Sequence, residues 1–263
     1  MLKLRTKKGR EERGMYLIEG FHLLEEAIKC NVEIGQVAVR ASLLEYADAE
    51  GLPLGLTQLL EAQKIPAVAV SDALFDKISD TETPQGVLCA VKKNDWPSSF
   101  IFRRGTEPPG SNTLVLDRIQ DPGNLGTLFR TADAAGYGSV LILKGTADIY
   151  SPKVVRAAAG SLFRLPVYFA DTPVDAIALL KQAHKKILVT DPHGGMDYFE
   201  APMRENIALV IGNEAGGVCD TLMHAADVRV LIPMSGSIES LNAAVAAAVL
   251  MYESVRQSRM ETK

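Results

Sequence analysis

Cysteine is scarce in this chain. Cys30, Cys89 and Cys219 stand far apart, and no two of them share a metal-ligand or redox spacing. That excludes a disulfide-stapled scaffold or a cysteine zinc site, and the three read as buried or half-buried thiols of a cytoplasmic protein. Histidine is almost as thin: His22, His184, His193 and His224 show neither zinc spacing nor a neighbouring nucleophile, so no metal is expected. Long apolar runs are missing as well. The longest, Ala243 to Tyr252, is alanine-rich and far short of the roughly 20 residues that cross a bilayer. The charged N-terminus has no apolar core of a signal peptide, and no membrane partner is expected. Two phosphate signatures, G-x-x-x-x-G-K-[ST] and a helix-opening G-x-G-x-x-G, are absent, which disfavours a triphosphate or a dinucleotide. There is no surplus of positive charge. With 28 Lys and Arg against 32 Asp and Glu, the net charge of -4 excludes an all-over basic coat, so contact with nucleic acid has to come from local patches.

What is present is enough for a full α/β core. At 263 residues, 47% hydrophobic and 23% charged, the chain has room for one large or two modest domains. From Met15 to about Val91 strands and helices alternate: Tyr16–Gly20, a helix Phe21–Lys29, Gln36–Val39, a helical stretch near Leu56 to Gln63, Ala67–Val70, a short helix near Ser71 to Ile78, and a closing strand from Gly86. Prolines, glycines and serines between 94 and 112 mark a linker. Beyond it, strands near Thr113, Ser139, Leu165, Lys186, Ile207 and Val228 alternate with helices, the pattern of a mostly parallel sheet covered on both faces. The division is therefore 1–93, a linker 94–112, and 113–263. In the final helix Leu241, Val245, Ala248, Val249 and Tyr252 recur at helical spacing, and this stripe fits either core packing or a partner subunit.

Two glycine-rich turns in the second half each follow an apolar run. They are Ile211-Gly212-Asn213-Glu214-Ala215-Gly216-Gly217 and Ile232-Pro233-Met234-Ser235-Gly236, the latter running on to Ser240-Leu241-Asn242. They become neighbours if the two strands pair, and turns at strand ends of open α/β sheets are where ligands bind. Glu214 in the first turn argues against a phosphate and for a ligand read by backbone amides and carbonyls, such as an adenine edge or ribose hydroxyls. A third element joins them: the strand Thr113–Leu116 ends at Asp117, and Asp121-Pro122-Gly123-Asn124 opens a helix from about Leu125 to Ala135 that carries Arg130. Six residues, nearly two turns, separate Asn124 from Arg130, so both share a broad side of the helix start.

The run Asn124-Leu125-Gly126-Thr127-Leu128-Phe129-Arg130-Thr131-Ala132, followed by the two glycine-rich turns, resembles the three ordered motifs of the SpoU (TrmH) branch of the SPOUT RNA methyltransferases. The N-terminal part is similar to the L30e-like substrate-binding domain attached to ribosomal RNA members of that branch. The resemblance implies transfer of a methyl group from S-adenosylmethionine to a ribose 2'-hydroxyl of RNA by a homodimer, most simply 23S ribosomal RNA. It also implies a deep trefoil knot in the C-terminal part, which no periodicity argument reaches because threaded chains are so rare.

The same resemblance assigns Asn124, Arg130, Glu214, Ser240 and Asn242 to catalysis, and Thr190, Gly212, Ile232 and Leu241 to the cofactor. A ribose hydroxyl is a poor nucleophile and needs help losing its proton, favourable electrostatics and tight positioning. A general-base role has been proposed for the family's arginine. A guanidinium is effectively always protonated, so a phosphate clamp that also stabilises the developing alkoxide is the favoured role for Arg130. Glu214, acceptor-only when ionised, can steady Asn124 or Arg130. Ser240 and Asn242 begin the final helix, where free N–H groups and short polar side chains can meet RNA, the plainer alternatives being an N-cap for Ser240 and a first-turn residue for Asn242. Gly212 permits close approach or a positive φ, while Ile232 and Leu241 offer apolar walls or ordinary core packing.

Local positive charge has two centres. Lys3, Arg5, Lys7, Lys8, Arg10 and Arg13 crowd the N-terminus, as an RNA contact or as a solvated end; Lys144, Lys153, Arg156 and Arg164 follow the Arg130 helix and are expected to track phosphates. Three rival readings stand beside 23S RNA methylation. They are a transfer RNA 2'-O-methyltransferase, a non-catalytic RNA- or ribosome-binding factor, and a metabolic enzyme with a nucleotide cofactor, the last disfavoured by the missing glycine fingerprint.

Overall fold

The computed structural model describes residues 1–45, 65–97 and 111–260. The helix expected near Leu56 to Gln63, and linker residues 98–110, lie outside the described residues. Two compact units emerge: Met1–Asp95 with Asp148–Phe163, and Trp96–Ala147 with Arg164–Lys263. Residues 148–163 thus leave the second unit and join the first. Their alternation of apolar and polar residues gives the sequence no mark of that exchange.

In the first unit, helix α1 (Lys7–Arg13) follows a short 3-10 turn, Leu2–Arg5. Thr6 caps α1 by accepting from the Gly9 N–H at 3.2 Å, and Gly14 ends it at φ +61°. The charged N-terminal segment is therefore folded. Its anchor is Arg10, 4% exposed, whose guanidinium donates to Asp148 and to the carbonyls of Leu4 and Arg5 at 2.5–2.9 Å. Next come β1 (Met15–Glu19), α2 (Phe21–Lys29), β2 (Ile34–Arg40), α3 (Ala41–Glu45), β3 (Ala67–Val70), α4 (Asp72–Ile78) and β4 (Val87–Lys92). The sheet order is β1-β4-β2-β3, antiparallel except where β2 and β3 pair in parallel. Leu23, Leu24, Ala27 and Ile28 form the buried stripe of α2.

The second unit is built on β5 (Thr113–Leu116), α5 (Pro122–Ala134) and β6 (Ser139–Leu143). In the first unit's inserted segment lie α6 (Pro152–Ala158) and most of α7 (Ser161–Arg164). The second unit then continues with β7 (Val167–Ala170), α8 (Pro173–Gln182), β8 (Lys186–Thr190), β9 (Met196–Asp197), β10 (Ile207–Ile211), α9 (Asp220–His224), β11 (Val228–Leu231) and α10 (Ala243–Met260). Its seven strands run in the order β7-β6-β5-β10-β8-β11-β9, and every pairing is parallel. Residues 114–116, 187–189 and 207–210 are at most 1% exposed, which explains their unbroken apolar runs. Because the strands are parallel, Asp117, Thr190, Gly212 and Ile232 all emerge at the same, carboxyl edge.

Element starts and one strand adjacency differ from the sequence pattern. Helix α5 starts three residues early because Asp121 caps it and Pro122 occupies the first turn. Helix α10 starts at Ala243, after Ser240 and Asn242. Strands β10 and β11, whose turns were expected to be neighbours through pairing, are separated by β8. The stripe in α10 also faces another way. Ala244, Ala247, Leu250, Met251 and Ser254 are its buried side, while Val245 and Tyr252 are half exposed.

Candidate functional site

At the carboxyl edge of the second unit lies a cleft of about 640 Å³. Thr190, Asp191 and His193 line it after β8, residues 211–218 after β10, Ile232 and Met234 after β11, and Glu239 to Ala243 at the entry to α10. The two glycine-rich turns thus meet across β8 rather than side by side. A crevice of this size at strand ends is where an open α/β sheet accepts a ligand.

The first turn is a narrow loop closed by reciprocal backbone bonds between Asn213 and Gly217 at 3.0 and 2.9 Å. The Asn213 side-chain oxygen accepts from the N–H groups of Ala215 and Gly216 at 3.0 and 2.9 Å, and Gly217 turns the chain at φ +61°. Gly212 is required by close approach, not by a positive φ. A Cβ there would sit 2.3 Å from the backbone of Gly217 and Val218, atoms that cannot swing aside.

Glu214, carried by this loop, accepts from the Asn124 side-chain amide at 3.1 Å and from the backbone N–H groups of Gln120 and Asp121 at 3.2 and 3.3 Å. Burial alone would push its carboxyl up. The hydrogen bonds outweigh that, Asn124 foremost, and hold its pKa below the ordinary value. The other end of the Asn124 amide is also used: its oxygen accepts from the Asn242 side chain at 2.9 Å. One chain of hydrogen bonds, Glu214 to Asn124 to Asn242, therefore ties together three segments far apart in sequence. Asn242 is also the N-cap of α10, accepting from the N–H groups of Ala244 and Val245 at 2.9 and 3.2 Å.

Other expected site residues fall as follows. Thr190, Gly212, Ile232, Ser240 and Leu241 all line the cleft, and the Thr190 hydroxyl donates to the Val210 carbonyl at 3.1 Å. Arg130 is exposed on α5 and outside the cleft lining; Glu214 is steadied by Asn124 and not by Arg130. Among the described residues Arg130 makes no ion pair or side-chain hydrogen bond. In the first unit Lys3, Lys7, Lys8 and Lys153 are exposed, Lys7 and Lys8 near Glu11 and Glu12 at 3.9 and 3.8 Å. Arg5 and Arg156 share Asp80, at 3.9 and 3.1 Å, and Arg10 is engaged inside the fold. The cluster of Lys144, Lys153, Arg156 and Arg164 is divided, with Lys153 and Arg156 in the first unit, Lys144 and Arg164 in the second, and Arg164 paired to Asp133 at 2.7 Å.

Sequence reasoning passes over Asp191, His193, Asn213 and Glu239 in the cleft, and over Asp117, Arg118 and Gln120 around it. Asn213, two residues ahead of a small-residue turn, carries the Asx-turn signal that would have flagged it. The others announce themselves only through strand order.

Comparison with known proteins gives a consistent result. Residues 111–252 match the model of the SpoU rRNA Methylase family, and residues 1–89 match the MRM3-like substrate binding domain. The chain is 36% identical over 252 residues to the 23S rRNA (guanosine(2553)-2'-O)-methyltransferase RlmP of Bacillus subtilis (strain 168), spanning 95% of this chain and 92% of that protein. It is 31% identical over 260 residues to the 23S rRNA (uridine(2479)-2'-O)-methyltransferase of Streptomyces viridochromogenes, spanning 97% and 87%. Among solved structures, the SpoU methyltransferase AviRb from Streptomyces viridochromogenes in complex with the cofactor AdoMet aligns with a TM-score of 0.85 at 27% identity, over 97% of this chain and 94% of that one.

Proposed function

Because the chain belongs to the SpoU rRNA methylase family, and is thus an S-adenosylmethionine-dependent RNA 2'-O-ribose methyltransferase, we propose that its acceptor is a ribose of 23S ribosomal RNA. The observation that supports a ribosomal acceptor is the likeness of residues 1–89 to the MRM3-like substrate binding domain, together with two relatives named for 23S rRNA. The one that supports catalysis is the hydrogen-bonded chain Glu214–Asn124–Asn242 beside the cleft. A non-catalytic RNA-binding factor has no need to keep it.

The cleft suits the cofactor. Its volume lies within the usual range of small-molecule sites, with apolar walls at Val230, Ile232, Met234, Leu241 and Leu250 and hydrogen-bonding groups at Thr190 and along the Gly212 turn. Thr190, Gly212, Ile232 and Leu241 would hold it. When bound, S-adenosylmethionine supplies an electrophilic sulfonium methyl.

The protein's own groups have separable tasks. Glu214, kept ionised, fixes the Asn124 amide by accepting its N–H, and Asn124 in turn fixes Asn242. The Ser240 hydroxyl, in the lining, can hydrogen-bond the incoming ribose. Arg130, exposed, without a partner among the described residues and outside the cleft lining of its own chain, reaches the ribose from the second copy of the proposed homodimer. There it clamps the adjoining phosphate and stabilises negative charge as the 2'-oxygen gives its proton to water. Exposed Lys3, Lys7, Lys8 and Lys153, with Arg5 and Arg156, give the first unit its RNA contacts. Arg10 serves them from inside by anchoring α1.

A homodimer is part of the reading, supported by Val245 and Tyr252, 51% and 52% exposed on α10, the helix packed against the one that bears Arg130. So is the C-terminal trefoil knot, supported by the entry of β10 between β5 and β8, two strands laid down earlier in the chain. A cytoplasmic location fits three free cysteines; among the described residues no helix is long and apolar enough to cross a membrane.

The test is to incubate the purified protein with radiolabelled S-adenosylmethionine and, separately, unmodified 23S ribosomal RNA and transfer RNA. The methylated position is then mapped by its resistance to alkaline cleavage. Label at a single ribose of 23S RNA is the expected result. Label confined to transfer RNA, or cofactor binding without transfer to either RNA, would overturn it.

A further inference from the structure

The loop that carries Glu214 is held from outside by two consecutive residues at the end of β5, Asp117 and Arg118. The Asp117 carboxylate is 1% exposed and accepts the Arg118 Nε and Nη2 at 2.8 and 3.0 Å and the Cys219 N–H at 2.7 Å. The Arg118 Nη2 also donates to the Gly217 carbonyl at 3.3 Å, and the Arg118 carbonyl accepts from the Asn213 side chain at 2.8 Å. The loop is thus gripped at its first residue, at its turning glycine and where it enters α9. Arg118 does this at φ +59°, a left-handed conformation that disfavours any side chain, with its stem packed 3.1 Å from the place a Cβ on Gly145 would occupy. A strained residue persists where its surroundings over-determine it, and here those surroundings are the loop itself.

We infer that Arg118, braced on Asp117, is a positioning residue for methyl transfer: it sets the loop Asn213–Cys219 so that Glu214 meets Asn124 and Gly212 presents its backbone to the cleft. The inference rests on the proposal that this cleft holds S-adenosylmethionine. Two features set Arg118 apart from a general stabiliser. Its side chain is 41% exposed, so its removal opens little of the core. Apart from Asp117, its guanidinium donates to that loop, at the Gly217 carbonyl, while the bond from Asn213 is to its backbone carbonyl and persists in any variant.

The experiment uses the full chain with Arg118→Gly, which removes the guanidinium while relieving the positive φ, and Arg118→Lys, which keeps the charge without the planar fork. In Arg118→Gly the KM for S-adenosylmethionine is expected to rise about tenfold and kcat to fall about tenfold, with a lowered melting temperature because the buried Asp117 carboxylate loses its charged partner. Millimolar methylguanidine should restore much of both, because it can refill the vacated place between Asp117 and Gly217. Arg118→Lys should be impaired and unresponsive to methylguanidine. Wild-type kinetics in Arg118→Gly would overturn the inference, as would a loss confined to RNA affinity, which would make Arg118 a phosphate contact, or a loss that methylguanidine does not relieve. Calorimetry separates this from the underlying reading. If wild type binds S-adenosylmethionine and Gly212→Val does not, the cleft assignment holds, and Arg118→Gly binding like wild type sinks the positioning role alone. If wild type itself fails to bind, both fall.

Discussion

The starts of α5 and α10 bring two asparagines into one hydrogen bond, yet the helices depend on them differently. At α5 the cap is Asp121, whose carboxylate accepts the Asn124 N–H at 2.7 Å, so both ends of the Asn124 side-chain amide are left for Glu214 and Asn242. At α10 Asn242 is itself the cap. Its oxygen accepts from Ala244 and Val245, and only its N–H reaches the site. A site residue relieved of capping can be changed without touching its helix, whereas one that also caps couples activity to stability. The same residue type is free of its helix cap in one place and half committed to it in the other.

Asn124→Asp presses hardest on that comparison. It sets a second carboxylate against Glu214 in place of a donor, so kcat/KM for methyl transfer should fall about 10³-fold, with a melting temperature close to wild type because Asp121 still caps α5. A melting temperature that falls in step with activity would remove the distinction. Arg130→Lys comes next, with about a 10²-fold loss of activity and no loss of fold, since an ammonium cannot reproduce the guanidinium fork. Full turnover in that variant would dismiss the clamp.

Asn242 should show both effects at once. Asn242→Ala is expected to lose about 1 kcal/mol of stability together with roughly tenfold in activity, while Asn242→Ser keeps a capping oxygen and should lose activity alone. Paired calorimetry and kinetics on the two variants read the split directly. The smallest effect is that of pH. Because Glu214 titrates below its ordinary value, its contribution is complete above that value and is lost only as pH falls through the lower folded one. The Asn124 side-chain amide resonances should therefore stay unchanged between pH 7 and pH 5, and a shift in that window would contradict the direction of the Glu214 pKa.

How much of this could be read in advance varied by segment. Apolar runs at Thr113, Ser139, Lys186 and Ile207 became strands where expected, since a strand buried on both faces writes itself as an unbroken apolar run. The Leu165 strand began later, at Val167, just past Pro166. The two-residue β9 left no pattern to find, and α1 was legible only as a charged end because its anchor, Asp148, lies 138 residues away. In the site, the residues named by motif reached the cleft or its rim, apart from Arg130, and the supports around them did not show. Asp117 looks like the polar end of a strand, and nothing local distinguishes Arg118 from any surface arginine.

Composition and order along the chain determined the class of fold, the edge of the sheet at which chemistry would gather and the three segments that carry it, because periodicity, glycine placement and helix-start residues are local properties. Only the tertiary structure decided that β8 stands between the two glycine-rich turns, that residues 148–163 pack with the first unit, that Glu214 is steadied by Asn124, and that Gly212 is fixed by the backbone opposite it. Each of those depends on which distant segments touch, and contact between distant segments is settled by packing the whole core at once.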